Sequence, residues 1–194
     1  MDKEDETLIE NCKQGNDKAF SLLIEKYKQD CLNIAYQLIG DRQLAEDIAQ
    51  EAFIRVYKSI GDFRGDSAFF TWLYQIVLNL CRDHFRRQSE ENLFSLENSA
   101  LENILRKEIP DFDDAPENYI EKQELQRMIK ESLTELSFKH RQVIVLRDLQ
   151  GLTYQKIAET LKIPLGTVKS RLNTARNRLQ QSLLTAKKRY KFRG

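Results

Sequence analysis

Apolar residues recur along this chain at the three-and-four spacing of α-helices. In residues 17–39, Phe20, Leu23, Ile24, Tyr27, Cys31, Ile34, Ala35 and Leu38 fall on one side of a helix. Asp17 is the expected cap at its start, and Gly40 followed by Asp41 marks its stop and the cap of the next. Residues 43–60 set Leu44, Ile48, Ala52, Phe53, Val56, Tyr57 and Ile60 against a polar side of Glu46, Asp47, Gln50, Glu51, Arg55 and Lys58. A third long stripe, from near Ser67 to about Gln88, holds Phe69, Trp72, Leu73, Ile76, Val77, Leu80 and Phe85. With a short helix over 7–14 in front, these predict an all-α unit large enough for its own core.

The pattern changes in Leu152–Leu179, LTYQKIAETLKIPLGTVKSRLNTARNRL. Thr153 is placed to cap a short helix whose inner face is Ile157, Ala158 and Leu161. Lys162, Ile163 and Pro164 break the period, because a residue before proline is pushed away from helical angles. Val168, Leu172, Ala175 and Leu179 then form the inner stripe of a second helix. Its outer side carries Thr167, Lys169, Ser170, Arg171, Asn173, Thr174, Arg176 and Arg178. This is the pattern of a helix-turn-helix, whose second helix enters the major groove of duplex DNA. Arg and Lys suit guanine, Asn suits adenine, and Ser or Thr serves base or phosphate. The departure is Lys162, which stands in the turn where glycine takes left-handed angles most easily.

Charge sharpens this reading. The net charge of +1 hides an acidic segment 89–118, with 2 basic against 9 acidic residues, and a basic segment 119–194, with 17 against 6. After Glu159 no acid remains, yet ten Lys or Arg follow, whereas a merely solvated face mixes signs. The acidic segment contains Pro110, Pro116 and DFDDAPEN, a composition that favours a linker, with some helical periodicity over 93–109. Cys12, Cys31 and Cys81 are too scattered for a metal or redox motif, and His84 and His140 are isolated. No phosphate-binding loop or nucleophile elbow is present, so neither an enzyme nor a cofactor is expected. The acidic start MDKEDET has no signal-peptide pattern and no run is long enough to span a membrane, which favours a cytoplasmic protein.

Two features of the N-terminal half exceed the needs of a core. One is the aromatic-rich run Phe63-Arg64-Gly65-Asp66-Ser67-Ala68-Phe69-Phe70-Thr71-Trp72-Leu73, in which Phe69 and Trp72 are expected to be core. The other is the polar, basic face Asn79, Arg82, Asp83, His84, Arg86 and Arg87. Rings beside a basic groove are how proteins hold single-stranded nucleic acid. Together, DRQLAEDIAQEAFIRVYKSIGDFRGDSAFFTWLYQIVLNLCRDHFRR and LSFKHRQVIVLRDLQGLTYQKIAETLKIPLGTVKSRLNTARNRL resemble the bacterial RNA polymerase sigma factors of the extracytoplasmic-function class.

That resemblance implies two small helical domains: region 2 over residues 7–88 and region 4 over 119–186, joined by the acidic linker 89–118 and followed by a basic tail, 187–194. It further implies that Asp47, Gln50, Glu51 and Arg55 meet core RNA polymerase. Phe63, Arg64, Asn79, Asp83, Arg86 and Arg87 would contact the −10 element as its strand is melted. Thr167, Lys169, Ser170, Arg171, Asn173 and Arg176 would read the −35 element as duplex. The partners implied are core polymerase, promoter DNA and an anti-sigma factor. From the residues alone, a dimeric helix-turn-helix regulator on an operator is the chief alternative, and a sigma mimic that does not read DNA is another.

Overall fold

Two side chains, Asn16 and Asp41, and the backbone of Gly40 fix the start of the second helix, its end and the start of the third. The computed structural model describes residues 3–95 and 127–191, among which every regular element is helical. Helix α1 spans Lys3–Lys13, α2 Asp17–Ile39, α3 Arg42–Ser59 and α4 Phe69–Ser95. The start of α2 is capped by Asn16, whose Oδ1 accepts from the amides of Lys18 and Ala19 at 3.1 and 3.2 Å. Asp17, the expected cap, lies one residue too far in, and its carboxylate instead accepts from the Tyr57 hydroxyl at 3.1 Å. Gly40 closes α2 in the left-handed region, φ +82°, donating its amide to Tyr36 O at 2.7 Å. Asp41 then caps α3 through the Leu44 amide at 3.0 Å, as expected.

These helices share a core whose centre is Ile34, Ala35, Leu38, Ala52, Val56, Phe69, Leu73 and Val77, all without solvent exposure. Each large apolar side chain buried there contributes roughly 1.5–3 kcal/mol. Helix α1 is tied down by a buried acid: Asp5 accepts from Lys26 Nζ at 2.8 Å and from the Tyr27 hydroxyl at 2.6 Å. Without those donors a buried carboxylate would be strongly unfavourable.

The C-terminal unit comprises α5 over residues 127–134, α6 at Phe138–Ile144, α7 at Tyr154–Leu161 and α8 at Leu165–Lys191. One wider π-type turn, Val145–Leu149, continues α6. Val143, Ile144, Val145 and Leu146 are all buried in sequence, so this segment is covered on every side. The two units pack together, α6 lying on α2 and α7 on α4. Helix α4 runs on to Ser95, past the expected boundary at residue 88; the rest of the linker, from residue 96 to 118, and the last residues of the basic tail, 192–194, lie outside the described residues. No described helix is long and apolar enough to cross a membrane.

Candidate nucleic-acid interface

The helix-turn-helix is built from caps on both sides of its turn. Thr153 Oγ1 accepts from the Lys156 amide at 3.3 Å, as its position predicted. At the other end of α7, Lys162 adopts φ 51° and ψ 48°, the left-handed conformation that glycine usually supplies, and its amide reaches back to the carbonyls of Ala158 and Glu159. A side chain there costs about 1 kcal/mol, and Lys162 is exposed, so nothing in the packing offsets it. Lys162→Gly should therefore raise the stability of this unit by about 0.5–1 kcal/mol, read as a higher midpoint in chemical denaturation; an unchanged or lower midpoint would contradict the strain.

Ile157, Val168, Leu172 and Ala175 are buried and hold α8 across α7. That leaves Lys169, Ser170 and Asn173 exposed, with Thr167 and Arg171 half-buried at the edge of the same surface. Ser170 Oγ donates to Thr167 O at 3.1 Å, which fixes its hydroxyl over the first turn of α8. Arg176 is placed differently from the others: its Nε and Nη2 bind Asp148 at 3.2 and 2.5 Å, so one edge of the guanidinium is already occupied. The π-type turn brings Asp148 there, and the preceding Arg147 donates to Leu152 O at 2.8 Å while lying over the Tyr154 ring. Neither acid nor turn was anticipated from periodicity. Beneath this surface, His140 is held by Ser137 Oγ at 2.9 Å. Burial pushes its pKa down, helped by the positive charges of Arg178, Lys139 and Arg171.

In the N-terminal unit the loop 61–68 projects Asp62, Arg64 and Asp66 into solvent, with Gly65 at φ +78° making the bend. Phe63 does not join them. It is buried, 5.0 Å from Trp72 and 5.9 Å from Phe69 between ring centres, and in the unbound chain it supports the loop from beneath rather than facing solvent with the other residues expected at the −10 strand. Phe69 and Trp72 belong to the same aromatic cluster, as expected of core residues. On α4, Asn79, Arg86 and Arg87 are exposed, with Asp83 half-buried. Asn79 Oδ1 accepts from Arg82 at 3.1 Å, and Arg86 lies 3.4 Å from Asp83. Phe70, half-buried at the head of α4, is covered by Lys156 Nζ of α7 at 4.7 Å from its ring centre.

A third surface lies on α3. Asp47, Gln50 and Arg55 are exposed and Glu51 is half-buried, all on the side away from Ala49, Ala52 and Val56. Arg55 Nε binds Glu51 at 2.8 Å. Ile54, also exposed, adds an apolar element to this charged face that the stripe-based reading did not single out.

Comparison with known proteins covers both units. Residues 23–91 match the family model Sigma-70 region 2, and residues 132–181 match Sigma-70, region 4. The RNA polymerase sigma-H factor of Pseudomonas aeruginosa is 34% identical over 93% of this chain and 94% of its own. The ECF RNA polymerase sigma-E factor of Haemophilus influenzae is 33% identical over 92% of this chain and 95% of its own. Among solved structures, the sigma factor RpoE in complex with the anti-sigma factor NepR from Bartonella quintana has the same fold. Its TM-score is 0.67 at 24% identity, covering 86% of this chain and 97% of that one. Full-length similarity of this kind does not favour the operator-binding regulator.

Proposed function

Because this chain belongs to the extracytoplasmic-function class of sigma-70 factors, and so directs promoter-specific initiation by RNA polymerase, we propose how its three surfaces divide that work. The face of α3 with Asp47, Gln50, Glu51 and Arg55 docks on core polymerase. The loop 61–68, through Arg64, and the α4 face with Asn79, Asp83, Arg86 and Arg87 hold the melted −10 strand. Extruding a base costs a few kcal/mol, which loop and helix must offset by contacts to the base and its flanking phosphates. The first turns of α8, with Thr167, Lys169, Ser170, Arg171 and Asn173, read the −35 duplex, while Arg176 contributes through the edge that Asp148 leaves open.

The observation that carries this division is the capped, left-handed turn between α7 and α8, which sets a basic polar helix face outward with no acid along it. Kinship also favours an anti-sigma partner, of the kind bound to the Bartonella quintana relative. The test is transcription with core polymerase. Lys169→Glu with Arg171→Glu should cut selective binding of the −35 duplex at least tenfold, since each base contact is worth roughly 1–3 kcal/mol. Association with core polymerase should be unchanged. Undiminished promoter choice in the double variant would refute the assignment.

A further inference from the structure

Helix α8 has a flank on either side of its outward face, and only one flank is balanced by an acid. On that flank Arg176 holds Asp148. On the other, Thr167, Arg171, Thr174 and Arg178 recur at the three-and-four spacing that aligns residues in one row along a helix. Helix α6 packs against α8 and brings Lys139 and His140 to this second flank. The positive charges of Arg178, Lys139 and Arg171 all act on the His140 ring, which is buried and held by Ser137 Oγ at 2.9 Å. Lys139 and Arg178 are exposed and Arg171 is half-buried.

None of these three cations has an ion pair or a side-chain hydrogen bond among the described residues. Glu135 shares a groove with Arg178 beside the second half of α8, but it accepts from the Ser182 hydroxyl and does not pair with Arg178. Like charges gathered around one buried group without a counter-charge repel each other, so the arrangement is unfavourable until an anion joins it.

The dimensions say which anion. A helix with its side chains is about 10–12 Å across and the major groove of B-DNA is about 12 Å wide, so a helix seated there has backbone against both flanks. From Thr167 to Arg178 the row runs about 16 Å at 1.5 Å per residue. A helix that enters by its first turns therefore carries Arg178, with Lys139 beside it, past the base edges to the rim where the phosphates stand.

We propose that Lys139 and Arg178, with Arg171 at the inner end, form a phosphate-binding site that grips one backbone strand bordering the −35 element, on the flank away from Arg176. The inference rests on the −35 reading above. The site chooses no base; contacts of this kind fix the register and tilt of the reading helix. Since α6 supplies Lys139 and α8 supplies Arg178, the grip orients the whole unit rather than one helix.

Lys139→Gln with Arg178→Gln tests this in the full chain assembled with core polymerase. Both side chains are exposed, so the fold should persist. Two short duplexes serve as probes: one carries a sequence that the wild-type holoenzyme selects from a random pool, the other an unrelated sequence. Each phosphate contact contributes about 0.9 to the slope of log affinity against log salt, so the variant's slope should be shallower by about 1.8. Its loss of affinity between about 50 and 200 mM salt should then be about tenfold smaller than that of the wild type. The change should be the same on both duplexes, because the backbone carries no sequence. Lys139→Arg with Arg178→Lys should keep the wild-type slope. Neutral methylphosphonates in place of the phosphates flanking the selected element should weaken the wild type and leave the glutamine variant unaffected. An unchanged slope overturns the site. So does a loss confined to the selected duplex, which would make these residues base readers. Competition by inorganic phosphate beyond that of chloride at equal ionic strength, with no effect of the methylphosphonates, would make the cluster a free-anion site and also overturns the proposal. A wild-type holoenzyme that selects no upstream duplex refutes the −35 reading itself, whatever the variant does.

Discussion

Asp47→Arg combined with Glu51→Arg should weaken binding to core RNA polymerase by at least about 100-fold while leaving the fold intact. The reasoning is asymmetric. Within the chain, Asp47 is exposed and Glu51 makes only the surface pair with Arg55, so the local cost is a few tenths of a kcal/mol. Across an interface matched to an acidic face, two reversed charges meet like charges, which costs several kcal/mol, and 100-fold corresponds to about 2.7 kcal/mol. Fluorescence titration of core polymerase with the variant measures the affinity, and circular dichroism checks the fold. A loss under threefold would show that α3 is not the docking face. Exposed Ile54 lies amid the same charges, and on the proposed docking its apolar surface is left intact by the reversal, which is why binding is expected to fall steeply rather than vanish.

Phe69→Ala should cost the N-terminal unit about 3–5 kcal/mol, a large part of the 5–15 kcal/mol that stabilises an ordinary domain. Phe69 has no exposure and touches the rings of Tyr27, Phe63 and Trp72 at 5.5, 5.9 and 5.9 Å between centres. Removing it leaves a cavity directly under the loop 61–68, because Phe63 anchors that loop by packing its ring on Phe69 and Trp72. Strand capture at −10 should fall with stability, while duplex binding by the other unit persists. Trp72, the only tryptophan, sits in the affected cluster, so its fluorescence reports unfolding by denaturant directly. A stability change below about 1 kcal/mol would mean that the cluster collapses around the gap and that the loop does not depend on it.

Much of this architecture is readable from spacing, because the helices are long and their buried faces recur without interruption. Leu38, Val56, Leu73 and Val77 in one unit, and Ile157, Val168 and Leu172 in the other, are buried where the period placed them. Thr153 and Asp41 cap as expected, since their oxygens need only local geometry to reach an amide. Where two adjacent residues both carry a suitable oxygen, as at Asn16 and Asp17, backbone angles decide, and sequence does not state them. The ring of Phe63 lies in a loop, where no period applies, and only tertiary contacts with Phe69 and Trp72 bury it. Arg141 is of a residue type that is rarely buried, yet it is buried here because three carbonyls at helix ends converge on it from two units. The unbroken apolar run Val143–Leu146 was the available sign that α6 is enclosed on all sides. Residue roles at the polymerase and promoter came from resemblance rather than from periodicity, which cannot tell a contact face from a solvated one.

The pairing of Arg176 with Asp148 has a consequence for ionic strength. A free cation that meets a phosphate releases condensed counterions from DNA, and each such contact adds about 0.9 to the slope of log affinity against log salt. Arg176 already holds a carboxylate in the unbound protein, and while only its open edge meets DNA the Arg176–Asp148 pair brings no net positive charge to the phosphates. On the proposed −35 reading, duplex binding by this unit should therefore be less salt-sensitive than its count of Lys and Arg implies.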